Sequence, residues 1–380
     1  MDRMRELVDR LNETAYQYYT LDAPTISDKE WDAMYDELNR LERETGERLP
    51  DSPTRRVGGA VLEGFEPHTH LARLWSMGKA QSIDALREWA RRAEKLRQDA
   101  VDAGMNLPKI EYVVEHKFDG LTVNLTYEDG HLTGAATRGN GVTGEEILPQ
   151  AMTIRSIPLS IPFKGRMEVH GEGFMCISAL EEYNKTAKDP LKNPRNAAAG
   201  ALRNLDPAVT ASRRLDACFY DVGYIEGRTF ASQREMMDFL KENRFPVSDC
   251  EMDCPTLEEA IDAVRRIEQS RGNLDYMIDG AVIKLCDFAT REVLGYTDKF
   301  PRWAVAYKFE AEETTSLLED VTWQIGRTGK LTPLAHVEPV ELAGATVRRA
   351  TLNNWTDIQR KRVRIGAKVW IRRSNEVIPE

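Results

Sequence analysis

The chain has 380 residues, 41% of them hydrophobic and 30% charged, with a net charge of −10 at pH 7. That length holds roughly two or three domains with cores of their own, and the acidic balance argues against a protein that coats DNA uniformly. The amino terminus MDRMRELVDR lacks the apolar run of a signal peptide, and no apolar run of about 18 residues occurs, so a cytoplasmic protein with free thiols and no membrane contact is expected.

Residues 1 to about 65 read as helical. Met4, Leu7, Leu11, Ala15 and Tyr18 follow a helical period, and Ser27-Asp28-Lys29-Glu30 fits a capping box before Trp31, Met34, Tyr35, Leu38 and Leu41. Pro50, Pro53, Gly58 and Gly59 mark a linker, and a further helix starts near Ser82. From about 110 to 312 the pattern predicts strands over 112–117, 121–127, 167–175, 217–224, 278–286 and 304–310, with helices near 178–188 and 256–269. That mixture indicates an antiparallel α+β domain. Beyond 313, short strands at 321–325, 331–337, 345–350 and 367–373 read as a small β-barrel. Cys250 and Cys254 are spaced like half a metal site, but no second pair follows, so no metal ligands are predicted.

The most informative stretch is Glu115-His116-Lys117-Phe118-Asp119-Gly120. On a strand Glu115, Lys117 and Asp119 share one face. A lysine held there between acids is either a neutralised charge on a wet sheet or a prepared nucleophile. Lys284 and Lys308 also sit inside apolar strands, facing either water or a partly buried anion. With Lys117 they suggest a shared phosphate site. Glu172 lies between glycines, as a ribose ligand or a surface acid at a bulge. Arg138 enters a Gly/Asn turn, pointing to solvent or clamping a phosphate or sugar, and Tyr220 either stacks on a base or packs in the core. Between Arg348 and Arg373 nine basic residues face one acid, Asp357, which makes this span, including Arg348 and Arg349, a candidate phosphate-contacting surface or a solvated basic face.

Lys117-Phe118-Asp119-Gly120 resembles the KxDG signature of covalent nucleotidyltransferases. Four letters are weak by themselves. Here ATRGNGVTGE (136–145), VHGEGF (169–174), NPRNAAAGALRNLDP (193–207), DGAVIK (279–284) and PRWAVAYKF (301–309) follow in the order found in NAD-dependent bacterial DNA ligases. GRTG at 326–329 and the segment 363–379 resemble that family's OB-fold. The resemblance implies an α+β chain with a helical NMN-binding module (1–65), an antiparallel, ATP-grasp-like nucleotidyltransferase core (66–312) and a partial OB-fold (313–380).

By the same resemblance Lys117 is the residue that becomes linked to AMP, and Asp119 positions it and helps to deprotonate it. Glu115 recognises adenine and Tyr220 stacks on it. Arg138 and Glu172 hold the ribose, while Lys284 and Lys308 contact the α-phosphate. Arg195 and Arg203 contact DNA phosphate or the nicotinamide nucleotide, with Arg271 in a similar role. Tyr18, Tyr19, Asp28, Trp31 and Asp32 fall on positions that grip NMN. Trp31 stands where the family usually has tyrosine, and Leu74-Trp75-Ser76-Met77-Gly78-Lys79 replaces the usual MLSLDN run, which alters the roles of Ser76 and Met77. The implied cofactors are NAD and Mg²⁺, and the implied partner of an expected monomer is nicked double-stranded DNA. An ATP-dependent nucleotidyltransferase and an inactive DNA-binding scaffold are the alternatives. The family's later domains, among them a four-cysteine zinc module, are expected to follow in a longer protein, a naturally minimal ligase being the alternative.

Overall fold

The computed structural model describes residues 2–21, 23, 25–56, 63–309, 313–325, 329, 331–342, 345–374 and 378–380. They form two compact units, Met1–Lys308 and Phe309–Glu380.

The first unit opens with two helices, Asp2–Tyr19 and Asp28–Thr45. Ser27 caps the second: its hydroxyl accepts from the Glu30 N–H while the Glu30 carboxylate accepts from the Ser27 N–H at 2.9 Å, the expected capping box. Met4, Leu7, Val8, Leu11 and Leu38 bury the shared face. Arg56 fixes this module to the rest of the unit by donating to the carbonyls of Ile154 and Ile157, each at 2.7 Å.

Two sheets follow. One has five strands in the order Gly78–Ala80, Ala304–Lys308, Ile278–Leu285, Tyr112–Phe118 and Glu251–Cys254. The other has four, His131–Thr137, Leu121–Glu128, Met167–Phe174 and Asp216–Ile225. All pairs are antiparallel except Gly78–Ala80 with Ala304–Lys308. The helix expected near Ser82 is Ile83–Asp102, and those expected near 178–188 and 256–269 are Ile177–Asn184 and Leu257–Ser270.

Tyr112–Phe118 and Leu121–Glu128 are consecutive yet belong to different sheets, so Asp119-Gly120 is where the chain crosses. The close approach requires glycine. A Cβ at Gly120 would lie 2.3 Å from the carbonyl oxygen of Gly173. Behind the four-stranded sheet, Val123, Leu125, Tyr127, Val169 and Phe219 anchor the main core. Thr122, Asn124 and Thr126 project to its other face, opposite Glu172, His170 and Glu168.

The second unit is an antiparallel five-stranded sheet ordered Ala345–Thr351, Leu331–Leu342, Glu313–Ile325, Lys368–Ser374 and Ile378–Pro379. Its first two strands in sequence are longer than expected, with 13 and 12 residues. No ladder closes the sheet into the barrel among the described residues. The ends do meet through a side chain, Asn353 Nδ2 donating to Glu380 Oε2 at 3.5 Å. GRTG (326–329) lies outside the described residues except for Gly329.

Candidate active site

Lys117 sits near the end of Tyr112–Phe118, one strand away from Asp279 and two from Lys308. Its Nζ lies 2.8 Å from Asp279 Oδ1 and 2.9 Å from Oδ2. Lys308 pairs with the same Oδ2. One carboxylate, its side chain only 4% exposed, therefore holds two ammonium groups, while Lys117 remains 27% exposed at the crossing. Burial alone would raise the Asp279 carboxyl, but Lys117 and Lys308 outweigh it and hold it below its ordinary value. Gly280 permits the packing here, since a Cβ there would come 2.2 Å from the carbonyl oxygen of Tyr307.

A second pair is deeper. Lys284 Nζ lies 2.6 Å from Glu115 Oε1, and both side chains are almost fully buried. Lys284 also donates to the carbonyl of Tyr220 at 3.1 Å and stands 5.3 Å from the centre of its ring. Burial pushes the Glu115 carboxyl up, against the pull of Lys284. A third pair, Arg195 Nη1 to Asp119 Oδ1 at 2.5 Å, closes the crossing. Asp119 is likewise pushed up by burial, opposed by Arg195.

The structure thus brings Lys117, Asp119, Glu115, Lys284, Lys308, Arg195 and Tyr220 to one region between the sheets. Glu172 joins them from Met167–Phe174. Its carboxyl is pushed up to about 7 by burial, with Lys117 and Arg195 pulling the other way. Arg138, at the end of its strand, reaches Ser76 Oγ at 3.4 Å. Ser76 is exposed and Met77 half-buried. Arg203 is instead engaged with Glu145, 3.0 Å away on the surface.

The carboxylate hydrogen-bonded to Lys117 is Asp279, while Asp119 turns toward Arg195. Asp279 is the first letter of DGAVIK, and its partners lie 162 and 29 residues away in the sequence, so no local pattern marks its role.

In the amino-terminal module Tyr18 and Tyr19 are adjacent and exposed, with ring centres 4.8 Å apart. Arg155 donates to the Tyr19 hydroxyl. Trp31 stacks on Tyr35 at 4.9 Å and packs on the module's core. Asp32 is exposed and has no hydrogen-bond or ion-pair partner among the described residues. The Asp28 side chain lies outside what is described. In the second unit Arg348 and Arg349 are exposed on Ala345–Thr351. No described helix is long and apolar enough to cross a membrane.

Residues 62–312 match the NAD-dependent DNA ligase adenylation domain, 315–380 the NAD-dependent DNA ligase OB-fold domain, and 1–58 the DNA ligase-like, N-terminal NAD⁺-binding domain. Proteins named DNA ligase from Alkaliphilus metalliredigens (strain QYMF) and Alkaliphilus oremlandii (strain OhILAs) are each 58% identical over all 380 residues, which span 56% and 57% of their lengths. A DNA ligase of Finegoldia magna is 55% identical over 380 residues, the whole of this chain and 57% of that protein. The chain therefore spans a little over half the length of these curated relatives. The five-stranded sheet that carries the paired lysines falls within residues 62–312, and through that match the chain belongs to the NAD-dependent DNA ligase adenylation-domain family.

Proposed function

We propose that this chain performs the nucleotidyl-transfer chemistry of an NAD-dependent DNA ligase. The observation that carries the reading is the single buried carboxylate, Asp279, shared by Lys117 and Lys308 at the crossing between the sheets. The lysines are held ready against a protein anion, and a nucleotide phosphate offers them a second one. Lys117, the more exposed of the two, is the nucleophile. Its Nζ attacks the α-phosphorus of NAD once its proton has left. A P–N bond forms, the P–O bond to nicotinamide mononucleotide breaks, and that nucleotide departs. AMP then passes from Lys117 to the 5′-phosphate of a nick in double-stranded DNA, and the 3′-hydroxyl displaces it.

The remaining roles are proposed from position. Lys284 and Lys308 steady the transferring phosphate. Glu115 and Tyr220 receive adenine, and Arg138 and Glu172 the ribose. Asp119 orients the crossing through Arg195. Tyr18, Tyr19, Asp28, Trp31 and Asp32 take the NMN half within a module spanning 1–65, with Ser76 and Met77 beside the Arg138 end of the site. Arg195, Arg203, Arg348 and Arg349 approach DNA from the core (66–312) and the OB-fold domain (313–380). When bound, Mg²⁺ supplies positive charge to the phosphates. Asp279 and Asp119 already face cations, so the site fits an ion held chiefly through substrate oxygens and water. The protein acts as a cytoplasmic monomer in replication and repair.

Exposure to NAD in one sample and ATP in another, each with Mg²⁺, tests the reading by intact mass. A gain of one AMP with NAD and none with ATP supports it. A gain with ATP alone indicates an ATP-dependent nucleotidyltransferase. No gain from either, with DNA still bound, indicates a scaffold.

A further inference from the structure

Below Arg138, on the polar face of the four-stranded sheet, lies a second cluster that the lysine chemistry does not use. Among the described residues, four buried side-chain atoms here lack any hydrogen-bond partner: Asn124 Oδ1, Thr126 Oγ1, Glu168 Oε1 and His170 Nε2. They face each other across one ladder, Asn124 opposite His170 and Thr126 opposite Glu168. Buried polar atoms are rarely left so, and a group of them signals something held between them.

His68 and His70 come in over this face from the segment that leads out of the amino-terminal module. Glu146 Oε2 accepts from His68 Nδ1 at 2.5 Å. A carboxylate only accepts, so Nδ1 carries a proton, and the other ring nitrogen, Nε2, faces Glu168 Oε1 3.8 Å away. That separation is too long for a hydrogen bond. Glu168 is fully buried, and its other oxygen accepts from the backbone N–H groups of Leu71 and Ala72 at 2.8 and 3.2 Å. His70 Nε2 faces the carbonyl of Arg138 at 3.1 Å, which leaves the lone pair on Nδ1, where the Asn124 amide lies 2.9 Å away. One nitrogen of each histidine and one oxygen of Glu168 lie within 4.8 Å of one another. Glycines leave room for both rings: a Cβ at Gly134 would come 3.1 Å from His68 Cε1, and one at Gly144 3.2 Å from His70 Cε1.

We propose that His68, His70 and Glu168 bind a divalent transition-metal ion of the zinc class, which clips the segment after the amino-terminal module to the sheet beneath Arg138. Two imidazoles and one carboxylate are a zinc-type donor set, unlike the all-oxygen preference of Mg²⁺. Three ligands about 2.0–2.2 Å from one tetrahedral ion stand roughly 3.3–3.6 Å apart, so the groups must draw together by about 1 Å as the ion enters. The Asn124 amide gives up its contact with His70 as Nδ1 turns to the ion. Glu146 is the outer carboxylate that fixes the ring of a metal-bound histidine. His68, partly exposed, provides the way in.

The test uses the full chain, stripped of metal with a chelator and titrated with Zn²⁺ and, separately, Co²⁺. One equivalent should bind, with visible ligand-field bands for Co²⁺ and a raised melting temperature. His68→Gln and Glu168→Gln should each weaken binding by more than about 100-fold, beyond the ~10–100-fold that loss of an outer partner costs. Metal-free Glu168→Gln should melt no lower than the metal-free parent, because its amide can donate to His68 Nε2. That variant keeps the test sound if His68→Gln fails to fold. The double substitution Cys250→Ala/Cys254→Ala should leave binding intact, separating this site from free thiols. The proposal is overturned if the parent binds no ion, which would mean buried water or an imidazolium–carboxylate pair instead. It is also overturned if the folded ligand variants keep parental affinity, or if only the cysteine variant loses it.

Discussion

Asp279→Asn is the substitution that bears hardest on the site. The parent carboxylate neutralises Lys117 and Lys308 at once, and its replacement strands two ammonium groups in a confined space. Breaking a buried ion pair costs about 3–5 kcal/mol, and because both lysines keep some solvent contact the low end, about 3 kcal/mol, is expected. For a unit the size of Met1–Lys308, at roughly 2 °C per kcal/mol, that corresponds to a melting temperature about 6 °C lower. The effect should depend on pH with a definite sign. The carboxyl is held below its ordinary 3.8, so its stabilisation is present above that pH and fades as pH falls through the folded value. The difference between parent and variant in urea unfolding should be full at pH 7 and shrink below about pH 3.8. Adding Lys308→Met should restore part of the loss by removing one stranded cation. Adenylation of Lys117 should slow by about 100-fold, the scale expected for a misplaced nucleophile. A variant that melts with the parent at pH 7 and adenylates at the parental rate would show that Asp279 does not hold the two lysines.

Three further outcomes follow from other residues. Asp32→Ala removes an exposed carboxylate with no partner among the described residues, so stability should change by less than about 0.5 kcal/mol. The rate with NAD should nevertheless fall roughly 10-fold in single-turnover labelling. Glu172 has a carboxyl raised to about 7 in the folded chain from an ordinary 4.5. Its contribution is present below pH 4.5 and lost as pH rises through about 7, so Glu172→Gln should flatten the parent's decline in thermal stability across that window. Arg348→Ala/Arg349→Ala should reduce the slope of log affinity for DNA against log salt by about 1.8, if each arginine meets one phosphate.

The sequence was most legible where chemistry and local structure share a few consecutive residues. Lys117 to Gly120 read as a strand, a break and a strand, and the chain does change sheets there. The capping box at Ser27 to Glu30 needed only four residues. Strand pairing was less legible. Ile278–Leu285 is buried along its whole length and carries no alternation to show which neighbour each residue meets. The link between Lys117 and Asp279 was hidden for that reason. Gly78–Ala80 and Glu251–Cys254 are too short for a period. The helix Pro194–Leu202 is signalled by its Asn193 cap and first-turn proline, inside a motif otherwise marked by its arginines. Glu313–Ile325 looked shorter than it is because its exposed face carries long stretches of polar residues. His68, His70 and Glu168 lie about a hundred residues apart in two groups, so only folding brings their side chains together.

Lys117 is the residue proposed to carry the nucleotide. Peptide mapping by mass spectrometry after incubation with NAD and Mg²⁺ tests this assignment most directly. One AMP is expected on the peptide containing Lys117 and none in Lys117→Ala. None is expected in Lys117→Arg either, because a guanidinium stays protonated and is no nucleophile at neutral pH. AMP attached to another residue, or an adduct that persists in Lys117→Ala, would contradict the assignment.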